Sequence, residues 1–131
     1  MRSRIPRVRA MTNRHVLVVD DSPTGRHAAM HLLEKRGYQV STAVDGADAL
    51  EKIAAAPPLL VVLDIVLPKL NGYEVLRHLK ASDSTRTIKV ILVSSKSQES
   101  DRFWGLKQGA DDYIAKPYKD EALLAAVKRQ L

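Results

Sequence analysis

Leu59 to Gly72, LLVVLDIVLPKLNG, is the stretch that most restricts what this chain can fold into. Five consecutive apolar residues, Leu59 to Leu63, follow Pro57-Pro58 and run straight into a single carboxylate, Asp64. A short apolar run of this kind fits a strand buried on both faces, as in a parallel sheet. A bare charge is costly inside such a strand, so Asp64 belongs at its C-terminal end. Pro68 and Asn71-Gly72 then mark a turn before a helix. In open α/β sheets ligands bind at the carboxyl edge of the strands, which makes Asp64 the candidate reactive group.

The rest of the chain repeats the pattern. His15 to Val19 is a short apolar strand ending in Asp20-Asp21, and Ser22-Pro23 caps a first helix running to about Arg36, with Ala28, Ala29, Leu32 and Leu33 inward. Tyr38 to Val44 alternates like an edge strand, and a second helix after Asp45-Gly46 turns Ala49, Leu50, Ile53 and Ala54 to the core. A third helix from about Gly72 to Ala81 buries Val75, Leu76 and Leu79. Lys89 to Val93 is a fourth strand ending in Ser94-Ser95-Lys96, followed by a helix over about Gln98 to Gln108. On that helix the 3.6 period predicts Phe103 and Leu106 inward and Trp104 outward. Asp112 to Ala115 is a fifth strand ending in Lys116-Pro117, and a last helix from about Asp120 carries Leu123, Leu124, Val127 and Leu131. Five strands alternating with five helices predict an α/β fold, a doubly wound parallel sheet with helices on both faces.

Composition narrows the class further. A chain of 131 residues, 45% hydrophobic and 27% charged, makes one ordinary globular domain. No apolar stretch approaches a membrane span, and with no cysteine there is no disulfide framework, thiol nucleophile or thiolate zinc site; the expected location is the cytoplasm. The net charge of +6 invites a nucleic-acid reading, but Arg2, Arg4, Arg7 and Arg9 carry four of those charges, and without them the net charge is +2. Residues 1–14 are therefore read as a basic, disordered arm ahead of a domain over residues 15–131, with Met11 an alternative start. Nucleic acid is not the expected partner.

The polar residues at the strand ends form a set. A parallel sheet brings Asp20, Asp21, Asp64, Ser94 and Lys116 to one edge. Three carboxylates together call for a cation, and hard oxygen donors suit Mg2+. An ammonium and a hydroxyl beside it are the groups that hold a phosphoryl oxygen. The set points to phosphoryl transfer onto a carboxylate, giving an aspartyl phosphate. His27 and His31 share metal-ligand spacing but lie opposite the apolar stripe of their helix and are expected to be solvated, as is His78. Asp111 and Asp112 precede the fifth strand, away from this edge, where a capping or surface role is expected.

In order and spacing, VVDDSPT, LDIVLPKLNG, VILVSS and GADDYIAKPY resemble a response-regulator receiver domain, the phospho-acceptor half of two-component phosphorelay signalling. The resemblance covers residues 15–131. It implies a flavodoxin-like (βα)5 sandwich with strand order 2-1-3-4-5, Asp64 phosphorylated by a histidine kinase or phosphotransfer domain, and Mg2+ held by Asp20, Asp21, Asp64 and the backbone carbonyl of Val66. It makes Ser94 the switch hydroxyl, Lys116 the phosphate-binding lysine, Tyr113 the aromatic switch residue and Lys116-Pro117 a cis peptide. Phosphate on Asp64 then draws Ser94 and its loop inward and opens space for Tyr113. This changes the face of the fourth helix, fifth strand and fifth helix, where Trp104, Tyr113 and Lys119 meet a downstream target. With nothing after the last helix, output is expected to be a protein contact of the receiver itself. The DDSPT, WG and QGADDYIAKP segments are most similar to stand-alone regulators of chemotaxis-like and type IV pilus (twitching motility) systems. A dehalogenase-like phosphatase also uses an Asp after a strand, but wants a second Asp two residues on, where this chain has Val66. A non-phosphorylated pseudo-receiver scaffold or a phosphate sink is the alternative reading.

Overall fold

The computed structural model describes residues 14–131; residues 1–13 of the expected arm, Met11 among them, lie outside the described residues. Arg14, expected at the end of that arm, is instead held against the domain: its guanidinium lies 4.3 Å from the centre of the Tyr38 ring, and its carbonyl accepts Gln39 N–H. Five parallel strands, β1 (His15–Val19), β2 (Gln39–Ala43), β3 (Leu60–Asp64), β4 (Lys89–Ser94) and β5 (Asp112–Ala115), form one sheet in the order β2-β1-β3-β4-β5. Five helices connect or follow them: α1 (Pro23–Glu34), α2 (Gly46–Ala55), α3 (Gly72–Ala81), α4 (Glu99–Lys107) and α5 (Asp120–Gln130). The alternation expected from the sequence, and the edge position of β2, are both present. The fold is the flavodoxin-like doubly wound sandwich.

The pleat of the central strands divides the core in two. Leu17, Val19, Val61, Leu63, Val90 and Leu92 face one way, onto Ile53 of α2 and Val75, Leu76 and Leu79 of α3. Val16, Val18, Leu60, Val62, Ile91 and Val93 face the other way, onto Ala29 and Leu33 of α1 and Leu123, Ala126 and Val127 of α5. Every residue of β3 is buried, but the strand begins one residue later than the apolar run: Leu59, expected inside it, precedes β3 and is 40% exposed. Helix starts follow their capping residues: Ser22 accepts from Gly25 N–H, Asp45 from Asp48 N–H, and Asn71 with Glu74 forms a reciprocal capping box.

Several expected core positions are not in the core. Ala28, Ala54 and Leu131 are exposed, because each stripe is narrower than the pattern suggested, and α5 buries Ala126 instead. The larger difference is in α4. Phe103 is 65% exposed and Leu106 37%, while Trp104 is 53% exposed as expected. The residue α4 turns inward is Gly105, whose absent Cβ leaves room for the ring of Tyr113: a Cβ there would stand 2.8 Å from Tyr113 Cδ2 and 3.2 Å from Leu92 Cδ1. With Tyr113 in that slot, the helix is rotated so that Phe103 and Leu106 point away from the sheet.

Candidate functional site

The register of the sheet assembles the acidic edge. Val19 pairs with Leu63 in adjacent strands, so the next residues, Asp20 and Asp64, leave β1 and β3 side by side. This is the point where the chain order reverses, with β1 connecting outward to β2 on one side and lying against β3 on the other. Asp20 and Asp64 are buried and Asp21 is exposed, yet each offers a carboxylate oxygen, all within 4.8 Å of one another. Two glycines make the close approach possible. A Cβ on Gly25 of α1 would lie 2.7 Å from Asp20 Oδ2, and one on Gly72 of α3 would lie 2.5 Å from the Asp64 carbonyl oxygen.

Lys116 reaches this edge from the end of β5. Its Nζ donates to Asp64 Oδ2 at 2.8 Å and to Asp20 Oδ2 at 3.3 Å. Burial pulls the ammonium pKa down, but the hydrogen bond and charge of Asp64, with Asp20 behind them, outweigh it and hold Lys116 above the ordinary lysine value. The Lys116-Pro117 peptide is cis, as expected. The remaining carboxylate oxygens are oriented by backbone: Asp20 Oδ1 accepts Ser22 N–H at 2.9 Å, and Asp64 Oδ1 accepts Val66 N–H at 3.1 Å. Arg26 donates to the Asp20 carbonyl at 2.9 Å, fixing the loop from α1.

Charge and donor type decide what this edge can hold. Three carboxylates against one ammonium leave two net negative charges, which a divalent cation balances, and an all-oxygen donor set is the kind that takes Mg2+. Beside it, Lys116 presents a cation to any anion approaching Asp64.

A second chain of contacts leads away from the acidic edge. Ser94, fully buried at the end of β4, accepts the N–H of Lys96 at 3.1 Å through its hydroxyl. The carbonyl of the same Lys96 accepts the Tyr113 hydroxyl at 2.8 Å. One residue of the β4–α4 loop is thus tied to both Ser94 and Tyr113. Tyr113 is 5% exposed and already occupies the inward position beside Gly105.

Comparison with known proteins agrees with this architecture. Residues 16–128 match the response regulator receiver domain. The chain belongs to the response-regulator receiver family. It is 42% identical to Protein PilH of Pseudomonas aeruginosa over 116 residues, which is 88% of this chain and 96% of that one. It is also 42% identical to Protein PilG of the same organism over 113 residues, 86% of this chain and 84% of that one. Among solved structures, the chemotaxis protein CheY4 of Vibrio cholerae superposes with a TM-score of 0.83 at 29% identity, covering 89% of this chain and 98% of CheY4.

In this receiver domain, five of the residues singled out from sequence gather at one edge: Asp20, Asp21 and Asp64 as the acidic cluster, Lys116 bonded to two of them, and Ser94 at the end of β4. Val66 is 63% exposed beside Asp64. Lys119 is exposed just before α5 and, with Tyr113, lines a groove of about 540 Å³ between α4 and α5, which Trp104 does not line. His27 and His31 are exposed with their rings edge-on at 6.4 Å, as expected of solvated side chains. Asp112 departs from its expected capping or surface role. It is buried, accepts Arg129 of α5 at 2.7 Å and Tyr113 N–H at 2.8 Å, and lies 3.5 Å from Arg102 of α4. Burial would raise its pKa, but the Arg129 hydrogen bond, the Tyr113 N–H and the two guanidinium charges hold it below the ordinary range. Sequence reasoning missed this network, and also Gly25 and Arg26, which have no signature until Asp20 is seen beside them. No described helix is long and apolar enough to cross a membrane.

Proposed function

We propose that this receiver domain accepts a phosphoryl group on Asp64 and uses that charge to set which protein it binds. The observation that carries the reading is the position of Asp64: last residue of β3, bonded by Lys116, with Asp20 and Asp21 within 4.8 Å. An Asp64 oxygen attacks the phosphorus, the bond from phosphorus to the donor's leaving nitrogen or oxygen breaks, and an acyl phosphate remains on the chain. Asp20, Asp21, Asp64 and the Val66 carbonyl would hold Mg2+, which when bound offsets charge on the phosphoryl oxygens. Lys116 turns its ammonium from the bare carboxylate to the incoming phosphoryl oxygen, a group it already faces in charge and geometry.

The response passes through Ser94. A phosphoryl oxygen on Asp64 offers the Ser94 hydroxyl an acceptor, and Ser94 is linked through Lys96 to Tyr113. Since Tyr113 already lies inward, phosphorylation acts by stabilising that packing against an outward alternative, a shift of population and not a new fold. The surface it biases is the α4–β5–α5 face with Trp104 and Lys119. The donor is a histidine kinase or phosphotransfer domain, and the likeness to PilH and PilG supports a place in a type IV pilus or chemotaxis-like motility pathway.

Intact mass after incubation with acetyl phosphate and Mg2+ tests the acceptor. The expected result is a gain of one phosphoryl group in the native chain, absent from Asp64→Asn and abolished by chelating the metal. No gain under any of these conditions overturns the reading and leaves a binding scaffold.

A further inference from the structure

The acceptor chemistry makes no use of Arg102, yet this arginine bonds to the backbone of Tyr113. It stands on α4 one turn before Gly105, so the two residues address the same stretch of β5. Arg102 Nη1 donates to the Tyr113 carbonyl at 2.8 Å, and Nη2 lies 3.5 Å from Asp112 Oδ1. That same carboxylate oxygen accepts Tyr113 N–H at 2.8 Å, while Asp112 Oδ2 accepts Arg129 of α5 at 2.7 Å. β5 is an outer strand paired with β4, and Lys116 N–H bonds back to Ser94 of β4. By the alternation of a strand, Tyr113 then turns its own N–H and carbonyl to the free edge, where Asp112 and Arg102 satisfy them. Tyr113 is thus held three ways: its ring beside Gly105, its hydroxyl on the Lys96 carbonyl and its own carbonyl on Arg102.

We propose that Arg102 is a positioning residue for the switch, an internal strap that seats α4 over Tyr113 and holds the ring inward before any phosphoryl group arrives. The proposal rests on the reading of Tyr113 as the residue whose packing changes. A guanidinium suits the task because its planar fork reaches a carbonyl and a carboxylate at once, which a single ammonium does not do in fixed geometry. Asp112 serves as the common anchor, since Arg129 ties it to α5 while its other oxygen faces Arg102. The contact is also releasable. The Arg102 side chain is 52% exposed, so it can swing into solvent without opening the core. Two arrangements follow: strapped, with Tyr113 inward, and released, with Tyr113 free to leave the space beside Gly105. Because the strap involves no group at the acidic edge, it sets the resting balance on which a phosphoryl group at Asp64 then acts.

Fluorine NMR of the full chain labelled with meta-fluorotyrosine, without metal or phosphoryl donor, is the test. The chain has four tyrosines, and Tyr113→Phe assigns the resonance that matters. Its shift between H2O and D2O reads how far the ring is exposed. The native chain is expected to show a buried Tyr113 with a small solvent shift. Arg102→Met keeps the apolar stem and removes every donor; its Tyr113 solvent shift is expected to be at least twice the native one, or a second, exposed resonance to appear. Arg102→Lys restores a donor and is expected to fall between the two. Arg77→Met, on the exposed face of α3 and outside this network, is expected to leave Tyr113 as in the native chain. Circular dichroism melting verifies that each variant is folded. A folded Arg102→Met chain with Tyr113 as buried as in the native one overturns the proposal. So does an Arg102→Lys chain no closer to native than Arg102→Met, or an Arg77→Met chain that moves Tyr113 equally. Since the measurement is made on the unphosphorylated chain, it stands apart from the acceptor test: phosphoryl gain with a Tyr113 indifferent to Arg102 sinks the strap alone.

Discussion

Asp21→Asn should make the metal-free protein more stable. Asp21 has no cation among its described partners, and two other carboxylates, Asp20 and Asp64, stand within 4.8 Å of it. Asp21 is exposed, so the dielectric appropriate to it is close to that of water. At that distance each repulsion is worth about 0.9 kcal/mol in water, and screening at 0.1 M salt cuts it to roughly 0.5 kcal/mol. Lys116, bonded to both of those carboxylates, offsets about one of the two repulsions. Removing the charge thus relieves about 0.5–1 kcal/mol, which for a domain of this size raises Tm by roughly 2–4 °C. Mg2+ reverses the comparison. Saturating metal stabilises whichever chain binds it, by about 2.7 kcal/mol at a hundred times Kd, and the native chain keeps one more anionic ligand than the variant. Thermal melts of both proteins, with chelator and then with a Mg2+ series, read the two effects directly. The variant is expected to lead without metal, by a margin that narrows in high NaCl, and to fall behind as Mg2+ rises. If Asp21→Asn melts at or below the native chain in chelator, or if Mg2+ raises both curves equally, the account of the acidic edge as a repulsive cluster neutralised by a cation is wrong.

Three other substitutions probe neighbouring claims. Gly25→Ala places a Cβ where only 2.7 Å separates it from Asp20 Oδ2, so the carboxylate must move; calorimetry should show Mg2+ binding weakened at least tenfold, while the metal-free melt stays level or gains up to about 1 kcal/mol from helix propensity. Gly46→Ala meets the Leu70 carbonyl at 2.1 Å, a backbone atom that cannot rotate aside, and urea unfolding should show a loss of about 2–3 kcal/mol. Asp112→Asn should cost about 1–2 kcal/mol at neutral pH by weakening the Arg129 and Arg102 contacts, a figure kept low because both arginines are half-exposed. Because the folded pKa of Asp112 is depressed, its contribution is complete above the unfolded value near pH 4 and disappears as pH falls through the folded value. The two melting curves should therefore converge toward pH 2; a constant gap would place the cost in packing and not in charge.

The acceptor edge was legible in the sequence because each of its groups is announced locally. Asp20-Asp21, Asp64, Ser94 and Lys116 all come directly after apolar runs, and the parallel topology alone brings such strand ends together. No knowledge of side-chain packing is needed to predict that they meet. The elements that steady the edge, and those that hold the far end of β5, were not legible for the opposite reason. Gly25 is informative only when Asp20 is known to lie against α1, and Arg102 and Arg129 are ordinary helix-surface charges until both are seen to flank the buried Asp112.

Helix α4 is where a sequence rule fails for a physical reason. The periodicity argument assigns apolar side chains to the core, but it presumes that the helix supplies the atoms that fill its own contact with the sheet. Here the sheet supplies them: the Tyr113 ring projects from β5 into the space a side chain at position 105 would take, and a glycine is what that arrangement needs. An inward glycine contributes no hydrophobic signal, so the pattern is carried by Phe103 and Leu106, which point elsewhere. The same rotation that seats Tyr113 is therefore what exposes Phe103 and Trp104 on the outer face. It follows that the two are coupled. Any change that withdraws Tyr113 from beside Gly105 removes the support that holds α4 at its present angle, and the presentation of Phe103 and Trp104 to a partner changes with it. Ser94, through Lys96, reaches that same tyrosine, so the acidic edge and the outer face of α4 are connected by packing and two hydrogen bonds.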